Sequence, residues 1–459
     1  MRISVFGTGY LGAVHAVCMA HLGHEVAAYD TDTTKIAMLA AGEPPFFEPG
    51  FAELLESVLA TGRLRFTHDA KEAVSTAAVH FVCVGTPSIP GSQAAYVGYV
   101  DSAVATIAVH VDCDGVIVGK STVPVGTAQR LAADLTARRS PRLEVAWNPE
   151  FLREGRAIDD TLRPDRLICG VSSQEAAKAL LEVYSSIIEA GSPYLTTDLQ
   201  TSELVKAAAN SFLATKISFI NAIAEVCEIV DADVVTLGRA LGYDDRIGSR
   251  YLGAGLGFGG GYLPKDIRAF GARAGELGAS DSLRFLHEVD KVNIRRREKA
   301  VSAASTMLGG DFLGMNVAVL GAAFKPNSDD VRDSPALNVA AAMHLKGAGV
   351  RVHDPRAIAN AMATFPTLTY CDTVEEACRS ADLIVLATEW DEYLRIDPVA
   401  LSSIVRVPRL LDTRNALDRE YWSSAGWYVY ALGRGSVMGP TRLGAEGLAL
   451  QFPASAAMR

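Results

Sequence analysis

A strand-like run, Ile3-Ser4-Val5-Phe6, leads into Gly7-Thr8-Gly9-Tyr10-Leu11-Gly12, and the next strand-like run closes on Asp30, eighteen residues after Gly12. This spacing suits a diphosphate: the first glycine permits a tight turn, the second lets backbone approach the phosphates, and the third lets a helix pack on the strand. The helix that opens there aims its N-terminus at the negative charge. Asp30 is placed to accept hydrogen bonds from adenosine ribose hydroxyls and to repel a 2'-phosphate, which favours NAD over NADP. Tyr10 and Leu11 belong to the same turn. Lys35, one helical turn past Asp30, reads either as a cofactor contact or as solvated surface. Thr86, in Gly85-Thr86-Pro87 at the end of another strand, falls at the sheet edge where such a cofactor lies, although the tripeptide alone is also a simple strand-ending turn.

The elements that must hold this turn show as alternation. Runs over Ile3 to Phe6, Glu25 to Tyr29, Val79 to Val84, Gly115 to Gly119 and Leu143 to Trp147 alternate with helical stretches of twelve or more residues, which predicts a parallel sheet covered on both faces. From Thr201 to about Val230 the pattern is continuously helical, with Leu204, Ala207, Ala208, Phe212, Thr215 and Phe219 at three- and four-residue intervals. A helix of that length is expected to connect two domains, which cover its ends, with Lys206 and Asn210 facing away from the apolar stripe. A second set of strands, at 316–321, 350–354 and 382–388, repeats the first pattern, including an acid at the end of its second strand. The expected fold class is therefore α/β, with two Rossmann-like doubly wound domains joined by a long central helix. The expected divisions are 1–200, 201–300, 301–433 and a Gly-, Ala- and Ser-rich tail over 434–459.

The 459 residues are 49% apolar and 21% charged, enough for more than one core. A net charge of -10 argues against a nucleic-acid partner. Seven scattered cysteines with no CxxC pair indicate neither a disulfide framework nor a metal site. With no signal-peptide pattern and no apolar run near the ~20 residues needed to span a bilayer, a cytoplasmic protein with no membrane partner is expected.

Five further segments, in order, resemble the UDP-glucose/GDP-mannose dehydrogenase family, and the likeness extends over about residues 1 to 430. They are Ser121-Thr122-Val123-Pro124-Val125-Gly126; Asn148-Pro149-Glu150-Phe151-Leu152-Arg153-Glu154-Gly155; Glu203-Leu204-Val205-Lys206 with Asn210; Gly257-Phe258-Gly259-Gly260-Gly261-Tyr262-Leu263-Pro264-Lys265-Asp266; and Phe324-Lys325-Pro326-Asn327-Ser328-Asp329-Asp330-Val331-Arg332. The resemblance implies that a hydride leaves C6 of a nucleotide sugar for NAD while Thr122, Glu154 and Asp266 handle the water that takes the hydroxyl proton. Lys206 and Asn210, four apart on one helix face, would steady the oxyanion. Glu150, Phe151, Leu152, Tyr251, Phe258, Gly259 and Lys325 match substrate contacts, and Arg332 matches one on the NAD side. Arg246 matches a substrate contact that can serve across a dimer interface, and the family's central helix implies a homodimer.

In one respect the chain departs from the pattern. Family members that form a uronic acid carry cysteine where this chain has Tyr262, and that thiolate captures the C6 aldehyde for a second oxidation. A phenol has a pKa near ~10 and a rigid ring, and cannot replace it. The favoured expectation is a single oxidation of a secondary hydroxyl in a chain-extended sugar, such as the octoses of lincosamide-type antibiotic pathways. The competing readings are an ordinary 6-dehydrogenase, an epimerase with Tyr262 as acid or base, and a binding protein without turnover.

Overall fold

The computed structural model describes residues 1–75, 77–137 and 143–438. Its first sheet contains β1 (Arg2–Phe6), β2 (Glu25–Tyr29), β3 (Leu64–Thr67), β4 (Val79–Val82), β5 (Gly115–Gly119), β6 (Leu143–Trp147), β7 (Leu167–Val171) and β8 (Tyr194–Thr197). The order is β3-β2-β1-β4-β5-β6-β7-β8, parallel except where β7 runs against β6. The strand order reverses between β1 and β4, which opens a crevice at their carboxyl ends, the usual ligand position in such sheets. Strand β4 is buried at every position, as a central strand covered on both faces must be.

The second sheet repeats the arrangement with β9 (Asn316–Leu320), β10 (Gly349–His353), β11 (Thr369–Tyr370), β12 (Leu383–Leu386), β13 (Arg409–Asp412), β14 (Tyr428–Ala431) and β15 (Gly435–Met438). Its order is β11-β10-β9-β12-β13-β14-β15, with only β15 antiparallel. The likeness extends to the acids after the second strands. Asp30 accepts the Thr8 amide at 2.7 Å, and Asp354 accepts the Ala322 amide at 2.7 Å and that of Ala323 at 3.0 Å.

Two readings need correction. The connecting helices in the first unit are often shorter than twelve residues, as at Thr33–Ala40 and Ala70–Val74, because Asp32 and Asp69 cap them just after β2 and β3. Residues 435–438, assigned to a loose tail, instead form the edge strand β15; 439–459 lie outside the described residues.

The central helix, Leu199–Val230, is capped by Asp198 and ends at Asp231 with φ +54°. It packs against the helices Leu263–Glu276 and Phe285–Met307. The face it buries is the polar one that carries Lys206 and Asn210, not the apolar stripe. Ser202, Glu203, Lys206, Asn210, Ala214 and Ser218 are buried, while Phe212 is 66% exposed, Phe219 51% and Ile229 83%. The polar face points inward because the other two parts of the chain bring complementary charges to it, as described below. Among the described residues no helix is long and apolar enough to cross a membrane.

The Gly12 contact sets the join between β1 and the first helix, Tyr10–His21. A Cβ at Gly12 would lie 1.8 Å from the Gly7 carbonyl oxygen. Gly12→Ala must push helix and strand apart, and should destabilise the first unit by about 1–3 kcal/mol in chemical denaturation, the usual range for overpacking. An unchanged midpoint would refute this.

Candidate active site

At the carboxyl edge of the first sheet, Gly7 turns the chain with φ +92°, a conformation that favours glycine. A Cβ on Gly9 would meet nothing within 4 Å, so the backbone there is open to a close ligand, and the helix begins immediately after it. Asp30 receives the Thr8 amide at 2.7 Å, the Thr8 hydroxyl at 3.0 Å and the Lys35 ammonium at 3.2 Å. Burial works against this carboxylate, but the Asp32 and Thr8 amides and Lys35 outweigh it and hold its pKa below the usual range. Lys35 therefore belongs to the Asp30 cluster rather than to free surface. The open amides, the helix N-terminus and an ionised Asp30 fit a dinucleotide.

Tyr10 does not point freely into the crevice. Its hydroxyl donates to Glu48 and its ring packs on Phe46 with centroids 4.9 Å apart. Glu48 also accepts the amides of Gly155 at 2.6 Å and Ala157 at 2.7 Å, so Tyr10 and Glu48 tie the glycine turn to the segment carrying Glu154. Leu11 lines a cavity beside Glu150, Phe151 and Leu152.

The remaining polar residues converge from four segments. Lys206 on the central helix pairs with Glu150 at 3.0 Å, with both side chains buried, and its ammonium stands 5.4 Å from the Phe151 ring centroid. One helical turn on, Asn210 donates to Asp266 Oδ2 at 2.7 Å. Lys265 donates to Asp266 Oδ1 at 2.6 Å and to the Thr86 hydroxyl at 3.4 Å, and Thr86 in turn donates to the Thr122 carbonyl at 2.8 Å. Thr122 lines a small cavity with Lys265 and Asp266. Thr86, Thr122, Asn210 and Asp266 thus form one connected chain of contacts.

Glu154 accepts from Ser328 at 2.7 Å, across from the first unit to the second, and lies 3.5 Å from the Arg332 guanidinium. Burial and then the Asp330 carboxylate push its pKa up to about 7, against the opposing pull of Ser328, Arg332 and Lys325. Lys325 stands 5.4 Å from the Phe324 ring centroid, and burial lowers its pKa even though Glu154 and Glu48 favour its charge.

The glycine-rich loop is wedged between these parts. A Cβ at Gly257 would meet Asn293 at 2.2 Å, one at Gly259 the Asp333 carbonyl at 2.5 Å, and one at Gly261 the Arg332 guanidinium at 2.3 Å. Asn293 grips Phe258 at both backbone ends, accepting its amide at 2.7 Å and donating to its carbonyl at 3.0 Å. Tyr262 follows as the cap of the helix Leu263–Glu276. Arg332, expected on the NAD side, is held over the Tyr262 ring at 5.7 Å and forked onto Asp330 at 2.9 and 2.6 Å. Burial, followed by Glu150 and Glu154, pushes the Tyr262 phenol still further above its ordinary pKa, so it stays protonated.

One candidate is not gathered in: the Arg246 side chain is 88% exposed, and among the described residues it pairs with Asp244 alone. Tyr251, 36% exposed with φ +67°, is near enough to Arg153 to favour its charge. Other buried groups went unnoticed in the sequence. Glu48 has just been described. Glu203 accepts the amides of Gly126 and Ala128, each at 2.7 Å, and so braces the Ser121–Gly126 turn. Lys120 is buried against Asn148. Glu203 and Lys265 stood inside quoted motifs, but no local signal marked Glu48 or Lys120, whose partners are distant in sequence.

Comparison with known proteins agrees with this geometry along the chain. Residues 1–188 match the NAD binding domain of the UDP-glucose/GDP-mannose dehydrogenase family, 200–295 its central domain and 318–419 its UDP binding domain. A UDP-glucose 6-dehydrogenase of Rhizobium meliloti is 41% identical over 95% of this chain and 100% of its own length. One from Bacillus subtilis is 37% identical over 95% and 99%. The solved UDP-glucose dehydrogenase of Pyrobaculum islandicum superposes with a TM-score of 0.85 at 38% identity, covering 92% of this chain and 95% of that one. The chain therefore belongs to the UDP-glucose/GDP-mannose dehydrogenase family, and is an NAD-dependent nucleotide-sugar oxidoreductase.

Proposed function

We propose that this enzyme carries out one two-electron oxidation, at a secondary hydroxyl on C6 of a chain-extended nucleotide sugar, and stops at the ketone. The observation that carries the reading is Tyr262, a protonated phenol under Arg332 in the loop where a thiolate would be needed for a second step. Two buried thiols of the first unit do not make up for it. Cys83 and Cys169 lie in the core of the first unit, and burial pushes them to about 12 and about 11, so they are not nucleophilic thiolates at neutral pH. A ketone has no hydrogen left on C6 to lose, so a secondary alcohol is the substrate for which this site is sufficient.

Gly9, Asp30 and Thr86 would hold NAD, which when bound would supply the hydride acceptor, so that the overall change is secondary alcohol plus NAD to ketone, NADH and one proton. Asp266, oriented by Asn210 and Lys265, and Thr122 hold the proton-accepting water. Lys206 and Asn210 meet the transient alkoxide from one side of the helix. Glu150, Phe151, Leu152, Phe258, Gly259 and Lys325 surround the sugar nucleotide, and Glu154 accepts hydrogen bonds at the mouth of the loop.

Two features support a homodimer built on the central helix. Phe212, Phe219 and Val226 recur every seven residues on its outward face, all more than half exposed. Arg246, remote from the site of its own chain, is then free to reach that of a partner.

Three outcomes test these readings. Incubation of a panel of nucleotide sugars with NAD should give one NADH per sugar and a ketone, whereas two NADH with a carboxylate product would defeat the single-step reading. The rate should fall as pH drops through about 7, because Glu154 gains a proton there; Glu154→Gln should lose that limb, and a variant that keeps it would remove Glu154 from the chemistry. Phe212→Glu with Phe219→Glu should give monomers in light scattering, and an unchanged mass would exclude this face as the interface.

A further inference from the structure

Lys120 follows β5 and is buried, yet the reaction just described makes no use of it. Its ammonium donates to Asn148 Oδ1 at 2.9 Å and lies 3.5 Å from the Asn148 carbonyl. That amide oxygen is shared with the Tyr184 hydroxyl at 2.6 Å. Among the described residues no carboxylate lies within ion-pair distance of Lys120, which is unusual for a buried lysine. It lines a cavity of about 40 Å³ with Leu11, His15, Glu150, Arg166 and Tyr184. His15 Nε2 in the same cavity is buried and has no hydrogen-bond partner.

The groups facing Lys120 decide its role. From the first sheet come the Cys83 and Cys169 thiols, both protonated; from the first helix comes His15, which burial and Lys120 together keep neutral; Tyr184 adds a neutral phenol. The carboxylates lining the cavity are engaged elsewhere, Glu150 with Lys206 at 3.0 Å and Asp160 with Arg153 at 2.5 Å, while Arg166 adds a further cation. Among the described residues Lys120 is therefore left with no carboxylate partner of its own.

We propose that Lys120 is a positioning residue for the oxidation, a second buried cation behind the Glu150–Lys206 pair that leaves this cluster with positive charge in excess until negative charge develops at the sugar carbon. The inference rests on the reading of Lys206 as the partner of the alkoxide. Preorganised charge of this kind counts most where water is excluded, because nothing must reorient as the anion forms. It also implies a penalty in the free protein. Burial depresses the pKa of Lys120, so the folded protein resists protonation that the unfolded chain accepts. That penalty is absent above the unfolded lysine value and grows as pH falls toward the folded one.

Lys120→Met, which keeps the length and removes the charge, separates function from structure. The variant should melt higher than the parent, by about 2–4 °C at pH 7, with the gain shrinking above pH 10. Binding is read with UDP-glucuronate, whose carboxylate puts a negative charge on C6, against UDP-glucose, which is neutral there. Lys120→Met should weaken UDP-glucuronate about tenfold relative to UDP-glucose. A lower melting temperature, failure to fold, or equal effects on the two probes would overturn the proposal. Lys206→Met serves as the control: if it lacks the same selectivity, or if the wild type binds neither probe, the reading of Lys206 fails and this inference falls with it. A selective Lys206→Met beside an unselective Lys120→Met refutes Lys120 alone.

Discussion

The Glu150–Lys206 pair is the constraint around which the rest is arranged. Two charges at 3.0 Å, both nearly out of water, are tolerated only together; removing either one from such a pair costs about 3–5 kcal/mol. Glu150 is fixed by the Leu152 amide at 2.6 Å just after β6, so the central helix must arrive with Lys206 facing that strand end. Once it does, Asn210 is aimed at Asp266 and Glu203 at the Gly126 turn, and a helix with an apolar stripe is obliged to bury its polar side. The second unit is docked by the same logic, through Ser328 on Glu154, Asp329 on the Phe47 amide at 3.2 Å and the Arg332 carbonyl on the Gly260 amide at 2.9 Å. The site exists only when all three parts are assembled.

What could be seen in the sequence follows from how local each cause is. The roles of Gly7, Gly9 and Gly12 are set within six residues, by a positive φ, an open approach and a helix contact, and the structure returns all three. The repeat of the strand order, down to Asp30 and Asp354, was likewise readable because each acid caps its own turn. The two-residue β11 carries too few residues for a pattern, and β3 and β13, with an arginine in each, lack the unbroken apolar run that marks β4 and β12. Hydrophobic periodicity does not tell which face of the central helix is buried: it reports the face that seeks apolar cover, and among the described residues Phe212, Phe219 and Val226 on that face stay more than half exposed. Lys120 and Glu48 were invisible because their environment is assembled from segments far apart.

The loop carrying Tyr262 is held by close contacts along its length. Its glycines leave no room for side chains against Asn293, Asp333 and Arg332, and its amides are taken by groups of the second unit and the neighbouring helix. A phenol in this frame is positioned, not idle: Arg332 covers its ring while holding Asp330 and approaching Glu154. On the proposed reading, a ring in place of a small nucleophile changes what can be bonded to the substrate and keeps the groups assigned to receive a proton and face an alkoxide.

That separation bears on whether the chain turns over or only binds. A nucleotide sugar is neutral at C6, and recognising it calls for neutral hydrogen-bond partners there. Buried Lys206 and Lys120 and half-buried Lys325, with Glu150, Glu154 and Asp266 beside them, are a costly way to recognise an uncharged carbon. Such a cluster lowers the energy of a state whose charge differs from that of the ground state, which is the physical definition of a site that accelerates a reaction. Epimerisation would need a hydride returned to the opposite face, and so a second proton donor across the sugar from Asp266. Tyr262 is the one phenol in the loop, but its high pKa and its cover by Arg332 make it a poor exchanger of protons. The charges that remain are those of a one-way oxidation.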